Sequence, residues 1–368
     1  AAIAAGRVSS GDAGRLGMLV PAVFLGLLLT AAFVTLGAGR WALSLPLFEG
    51  ASLGAPPVAQ AETATAAANG SWVDGFIPSN LFAAAAGTNL LPLMVFALAF
   101  ALAARRLAEP LQRTLQDLAV ATRDTLFVLV EWLLVLAPLV LLAVGLRAGA
   151  ADGLKVGGGL LAFVGLEIAL LLFAILVLYP VTALMGRVPL RRFARAAAPG
   201  QFAAIATRSS LATVPILLRS ARETLGQPGA TAATVIPLAG AMLKLSRAVV
   251  GPCKLLFLGY VLGIPIGPGD LVVFLVTILL LSPATVGLPS VTSGGKSLPA
   301  YVAVGVPAEY VVLLGTTTAI TDVFQTVLNS TSYLSASTLV TRFARRGTAV
   351  ETPALETAPS SAPEGAVS

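Results

Sequence analysis

Long apolar stretches fill the first half of the chain, and most of its polar positions fall between them. The stretches run from about Leu16 to Gly39, Leu81 to Ala104, Thr125 to Leu146 and Gly157 to Met185. About 20 consecutive apolar residues suffice for an α-helix to cross the hydrocarbon core of a bilayer. The pattern therefore predicts four membrane-spanning helices in this half of an integral membrane protein.

The apolar segments of the second half are shorter, more polar or interrupted. Thr231 to Gly263 is apolar but carries three basic residues, and Thr316 to Val340 is rich in Thr and Ser with one Asp. Leu271 to Leu281 and Val302 to Leu314 are too short to cross a bilayer. Non-helical backbone at membrane depth is tolerated only where it is buried in protein or lines a cavity. Broken segments of this kind therefore indicate a transporter binding site.

Composition supports a membrane protein and argues against enzymatic function. Of 368 residues, 57% are hydrophobic and 11% are charged, whereas a soluble domain carries about 25% charged residues. The chain has no histidine, and its one cysteine, Cys253, allows neither a disulfide framework nor a Cys-rich metal site. We therefore predict no enzymatic activity and no cofactor. Two glutamates in the apolar stretches, Glu131 and Glu167, are predicted to lie near helix ends, where they snorkel or pair.

The basic residues are distributed unevenly among the predicted loops. The loops at 40–75 and 147–156 contain only Arg40, Arg147 and Lys155. The segments after the second, fourth and last apolar stretches contain Arg105, Arg106, Arg113, Arg123, Arg187, Arg191, Arg192, Arg195, Arg342, Arg345 and Arg346. Cytoplasmic loops carry the excess of Lys and Arg. We therefore predict a multi-pass protein of the cell (inner) membrane with a cytoplasmic C-terminus, and an extracellular loop at 40–75.

The two ends of the chain differ from the apolar stretches. The sequence begins at Ala1 without a methionine and without the order of a signal peptide, so we expect it to begin inside a longer protein. The tail at 347–368 is rich in Pro, Ala, Ser and Glu, a composition that predicts disorder.

A small polar run that ends in a proline, Thr207 to Pro215, lies between two moderately apolar arms. One interpretation is a Ser/Thr-rich loop between helices. The other is a re-entrant hairpin whose tip offers hydroxyl and backbone N–H groups to an anion such as a carboxylate. The residues themselves leave both interpretations open.

Asp322 lies inside the last apolar stretch, where a charge costs at least about 2.5–3.5 kcal/mol on insertion scales. Asp322, Gln325, Thr326 and Asn329 follow the spacing i, i+3, i+4, i+7 and so share one helix face. Such a face is expected to line a cavity. The alternative is an ion pair that merely holds helices together, for which three basic residues are candidates: Arg208, Lys244 and Arg247.

Five segments, in the same order along the chain, match sequence elements of a known transporter family. They are Ile77–Phe82, Thr207–Pro215, Val235–Leu238, Ser282–Ser290 and Thr321–Thr331. The second is similar to a serine-rich first hairpin tip, the fourth to a second hairpin tip, and the fifth to the last helix. On these segments the chain resembles the dicarboxylate/amino acid:cation symporters, the glutamate transporter family. By this match the first helix and most of the second are absent from the chain.

The resemblance implies an all-α membrane fold with six spanning helices and two re-entrant helical hairpins. Residues 1–146 would form the scaffold and oligomerisation side, and residues 157–345 the transport side, with hairpins near 200–222 and 271–314. Family members are homotrimers whose transport domain moves like an elevator. The implied function is secondary transport of a small amino acid or carboxylate, by alternating access, with the second hairpin as outer gate.

The resemblance also implies a substrate site. Asp322 would bind the substrate's ammonium, and Ser210 and Asn329 its α-carboxylate. The full set implied to bind substrate comprises Arg208, Ser209, Ser210, Thr213, Gly287, Pro289, Ser290, Asp322, Gln325, Thr326 and Asn329. Gln325 stands where members that carry acidic amino acids have an arginine. A glutamine cannot form the bidentate ionic pair that clamps a side-chain carboxylate, so a neutral amino acid or another small carboxylate becomes at least as good a candidate.

The sodium sites of the family are degraded in this chain. The family's Asn-Met-Asp-Gly-Thr break corresponds to Leu243–Arg247 here, and Tyr333 replaces a sodium-binding aspartate of the last helix. We hypothesise that Lys244 and Arg247 substitute for bound Na⁺, leaving transport that is proton-coupled, weakly coupled or uncoupled. Carbonyl groups around Ser282, Ala284 and Thr285 can still supply one weak sodium site. The alternative function is a non-transporting family member that acts as a binding or structural membrane protein.

Overall fold

The computed structural model describes residues 10–53, 80, 82, 90–284 and 297–348, and these residues form helices and short connections without a β-strand. The predicted loop between residues 54 and 79, the tip of the second hairpin and the tail beyond residue 348 lie outside the described residues. The Ile77–Phe82 segment is described only at Asn80 and Phe82.

Three helices make up the first part of the described chain: α1 (Ser10–Leu43), α2 (Leu90–Ala104) and α3 (Glu109–Gly186). A single 3-10 turn, Pro46–Phe48, follows α1. The third and fourth predicted spans are joined in α3, a continuous helix of 78 residues, so the prediction of a loop at 147–156 was wrong. That segment contains three alanines and no proline, and its two glycines weaken a helix without ending it.

The first predicted hairpin is a helix–turn–helix pair. Helix α4 (Leu190–Thr207) ends at Arg208, which adopts the left-handed conformation (φ 50°), and α5 (Val214–Glu223) begins six residues later. The two helices pack against each other, and both contact the last helix. The arm before the tip is longer than predicted, because it begins at residue 190 rather than near residue 200.

A broken helix follows the hairpin. Helices α6 (Gly229–Met242) and α7 (Leu245–Leu262) are separated by Leu243 and Lys244, whose backbones are not helical (ψ 97° and 75°). The resemblance predicted a helix break at Leu243–Arg247. The break is present, although Ser246 stands where the family motif has glycine. The chain is therefore interrupted within an apolar segment, where a side chain can project between the two half-helices.

The remaining helices are α8 (Pro268–Ala284), α9 (Leu298–Val302), α10 (Ala308–Gly315) and α11 (Thr318–Thr348). The chain bends by 74° between α10 and α11. Among the described residues, three helical segments are long and apolar enough to cross a membrane, or four if the bent pair is one span.

Helix α11 is the centre of the packing, since it contacts α1, α3, α4, α5, α6 and α7. Several of its buried polar side chains form hydrogen bonds to those neighbours. Gln201 on α4 donates to Thr331 (2.8 Å), and Gln227 after α5 donates to Thr338 (3.0 Å). Small residues and interhelical hydrogen bonds drive helix packing in bilayers, which explains how so polar a helix occupies the centre.

Helix α1 packs against α7 and α11 and shares one hydrophobic core with them. The first predicted span is thus in direct contact with the part of the chain assigned to the transport side. The division into scaffold and transport sides stays a prediction.

Close packing of the hairpin on α11 gives a first testable expectation at Gly200. A Cβ atom at Gly200 would lie 2.4 Å from Leu217 Cδ2 and 3.2 Å from Ser330 Oγ. We expect Gly200→Ala to lower the melting temperature in detergent, because overpacking costs about 1–3 kcal/mol. Gly165→Ala is the matched control, since nothing lies within 4 Å of the added atom. Equal melting temperatures for the two variants would contradict this packing.

Candidate functional site

The tip of the α4–α5 hairpin, the break between α6 and α7, and α11 meet at one group of polar side chains. Lys244 Nζ donates to Ser210 Oγ at 3.1 Å and to the Tyr333 hydroxyl at 3.0 Å. The Tyr333 hydroxyl in turn donates to Ser210 Oγ at 3.0 Å. We call Lys244, Ser210 and Tyr333 the lysine triangle.

The lysine triangle follows from the local backbone. Lys244 lies in the non-helical break, Ser210 in the turn after Arg208, and Tyr333 on the fully buried part of α11. The ammonium group also lies 5.6 Å from the centroid of the Tyr333 ring, within the range of a cation–π interaction. Both oxygens that it contacts belong to neutral side chains, so the triangle carries a positive charge.

Asn329 connects α11 to the start of α7. Its Oδ1 accepts from the Ser246 backbone N–H, and its Nδ2 donates to Ser246 Oγ, both at 3.0 Å. Asn329 is 7% exposed. The side chain predicted to bind a substrate carboxylate thus already holds one edge of the helix break.

Gln325 bonds to Glu167, a residue that the sequence predicted to lie near a helix end. Its Nε2 donates to Glu167 Oε1 at 3.1 Å and to Thr321 Oγ1 at 3.0 Å. Glu167 is only 2% exposed, so the prediction that it snorkels near a helix end was wrong, although it does find a partner. The sequence contained the relevant indication, because Glu167 lies well inside an apolar stretch, as Asp322 does.

Other predicted site residues have local roles in the hairpin turn and in α11. Thr213 is buried and donates to the Ser210 carbonyl at 2.7 Å, and Ser209 Oγ accepts from the Ala212 N–H at 3.4 Å. Thr326 is buried and donates to the Asp322 carbonyl at 2.8 Å. Arg208 is exposed, whereas Asp322 and Arg247 are partly buried.

The predictions for the second hairpin fall largely outside the described residues. These undescribed positions are Thr285, Gly287, Pro289 and Ser290. Ser282 and Ala284 belong to the last turn of α8. The weak sodium site and the gate stay predictions.

A cavity of about 530 Å³ lies at the opposite end of the first hairpin from its tip. It is lined by Pro189, Arg191, Arg192, Arg195, Glu223 and Thr224, and Arg192 Nε donates to the Thr224 carbonyl at 2.6 Å. Its arginines belong to the group that the charge distribution assigns to the cytoplasmic side. This cavity is separate from the lysine triangle.

Comparison with known proteins identifies the family. The model of the sodium:dicarboxylate symporter family matches residues 1–343. The chain belongs to this family. No match was found among curated proteins. The resemblance predicted from the five segments is confirmed, and so is the prediction that the chain is not an enzyme, because sodium:dicarboxylate symporters are transporters.

Membership explains why the apolar helices surround a polar interior. A sodium:dicarboxylate symporter is a multi-pass membrane protein that moves small molecules across the bilayer. In this member, a lysine ammonium, a tyrosine hydroxyl and a serine hydroxyl meet at the helix break. Tyr333 is the residue at which the sequence analysis placed a lost sodium-binding aspartate.

Proposed function

We propose that this chain is a secondary transporter of a small amino acid or carboxylate, in which the Lys244 ammonium takes the place of a coupling sodium ion. The observation that carries the proposal is the position of Lys244 Nζ, 3.0 Å from the Tyr333 hydroxyl and 3.1 Å from Ser210 Oγ. The ammonium thus lies beside the tyrosine that, by the resemblance, replaces a sodium-binding aspartate.

Electrostatics disfavours adding a sodium ion to the positive charge already at this place. Two unit charges 4 Å apart repel by about 4 kcal/mol at an effective dielectric constant of 20. A sodium ion that entered beside the Lys244 ammonium would meet this repulsion and would find tyrosine in place of a carboxylate. Transport that is proton-coupled, weakly coupled or uncoupled follows from the substitution, with Arg247 contributing further positive charge.

The hydrogen bonds of Ser210 support a role in binding a carboxylate. A serine hydroxyl has one donor and two acceptor sites, and Ser210 Oγ accepts from both Lys244 and Tyr333. Its own O–H is therefore the group that can donate to a ligand. A carboxylate there would also be attracted by the adjacent ammonium, while Asp322 would bind the substrate's amino group.

The wider mechanism follows the family. Alternating access would proceed by movement of a transport domain within a homotrimer, with the second hairpin as outer gate. The C-terminus would lie on the cytoplasmic side of the inner membrane, as the arginine distribution indicates.

One observation favours the second candidate, a family member that binds without transporting. Asn329 and Ser210 are both hydrogen-bonded to other residues of the chain, which is what a permanently closed site would require. In that case the lysine triangle would hold the hairpin to the helix break.

Parallel measurements of uptake and binding separate these two functions. Purified protein in liposomes would be given radiolabelled neutral and acidic amino acids and dicarboxylates, and equilibrium binding would be measured in detergent. We expect saturable uptake of at least one compound that also binds. Binding without uptake would support the non-transporting alternative, and the absence of both would reject transport of these substrate classes.

A further inference from the structure

Two residues with ionisable side chains are buried on α3 and α7, which pack against each other. Glu167 on α3 is 2% exposed and Lys254 on α7 is 4% exposed. Lys254 Nζ lies 6.0 Å from the ring centroid of Phe163, which is one turn before Glu167 on the same helix. Buried charges are normally kept in proteins only when they are compensated.

The buried carboxylate fixes the orientation of the Gln325 amide. The Glu167 oxygen accepts from the Gln325 amide, so the NH₂ group is turned towards Glu167. One N–H of Nε2 is used by Glu167 Oε1 (3.1 Å) and the other by Thr321 Oγ1 (3.0 Å). Both donors of the side chain are thus occupied, and Oε1 is the polar atom left for a ligand.

An amide held in this way favours ligand groups that donate a hydrogen bond to its oxygen. Its free oxygen is an acceptor, and its nitrogen is held by the buried carboxyl group of Glu167. A ligand carboxylate would meet an oxygen lone pair, whereas a hydroxyl, amide or ammonium group would donate a hydrogen bond. When the wrong ligand leaves a buried polar group of the site unpaired, the site discriminates strongly against that ligand.

We propose that Glu167 is a specificity-determining residue that, through Gln325, restricts the transported amino acids to those whose side chain donates a hydrogen bond. This proposal rests on the proposed function, because it assumes that Gln325 faces the substrate. Glu167 acts as a positioning residue and does not itself touch the substrate.

Isosteric ligand pairs test the proposal on the unmodified protein. Binding of asparagine against aspartate, and of glutamine against glutamate, would be compared by competition with whichever labelled amino acid binds. We expect the amide member of each pair to bind at least about tenfold more tightly, equivalent to 1.4 kcal/mol. Equal or tighter binding of the acids would overturn the inference and leave transport itself intact.

A double variant tests the role of Glu167 through ligand preference. A residue with a merely structural role would not change the preference for asparagine over aspartate. In Glu167→Gln with Lys254→Met, both buried charges are removed and the amide of Gln325 is free to invert. We expect the preference for asparagine over aspartate to fall by about tenfold or more, while Glu223→Gln, an exposed control, keeps it. An unchanged preference in a folded double variant would overturn the role of Glu167. If neither amino acids nor dicarboxylates bind the unmodified protein, the proposed function itself fails; if the acids bind as tightly as the amides, only the role of Glu167 fails.

Discussion

Asp322→Asn is expected to abolish measurable uptake and to weaken amino acid binding by about 10- to 100-fold. The reason is that the carboxylate is proposed to bind the substrate's ammonium, and hydrogen bonds to charged groups contribute about 1.5–3 kcal/mol. Asparagine keeps the size of the side chain and one acceptor oxygen but loses the charge. The measurement is a binding isotherm in detergent together with uptake into liposomes.

The matched control for this variant is Asp270→Asn. Asp270 also lies in a membrane-associated helix, but its Oδ2 accepts from the Gly267 N–H at 2.9 Å near the start of α8, away from the lysine triangle. We expect Asp270→Asn to bind substrate within a few-fold of the unmodified protein. Full substrate affinity in Asp322→Asn would contradict the assignment of Asp322 to the ammonium site.

Lys244→Met is expected to weaken binding of a carboxylate substrate by about 10- to 100-fold, since one charged donor contributes about 1.5–3 kcal/mol. Methionine has a similar length but no charge. The hydroxyls of Ser210 and Tyr333, 3.0 Å apart, remain bonded to each other, so we expect the variant to fold. Its melting temperature and binding isotherm would be measured together.

Tyr333→Phe distinguishes the effect of the Lys244 charge from the effect of the hydrogen bonds around it. It removes one acceptor from Lys244 but keeps the ammonium, so we expect binding within a few-fold of the unmodified protein. If Tyr333→Phe reduced binding as much as Lys244→Met, the hydroxyl network rather than the charge would be the essential feature.

The sequence predicted those parts of the fold that depend on local patterns. The break at Leu243 and Lys244, the turn after Arg208 and the shared helix of Asp322, Gln325 and Asn329 all follow from a family match or from helical periodicity. The continuous α3 did not follow, because hydropathy windows separate two apolar stretches whether or not the residues between them remain helical. Only backbone geometry resolves that question.

The site was predictable in its residue types but not in its contacts. Lys244 is visible in the sequence, and the resemblance to the family predicts that Tyr333 stands in place of an aspartate. That these two residues bond to each other depends on the side-chain direction at a helix break. The link between Glu167 and Gln325 joins residues 158 positions apart, and no local pattern reports such a pair.

The role of Lys244 is tested most directly by the sodium dependence of uptake. Liposomes containing the unmodified protein would be given labelled substrate with an inward sodium gradient, or with an equal potassium gradient at the same ionic strength. Our account predicts initial rates that are equal, or that differ only slightly, in the two conditions. A steep rise of the rate with the sodium gradient would contradict it, because a bound sodium ion would then be doing what we assign to the lysine ammonium.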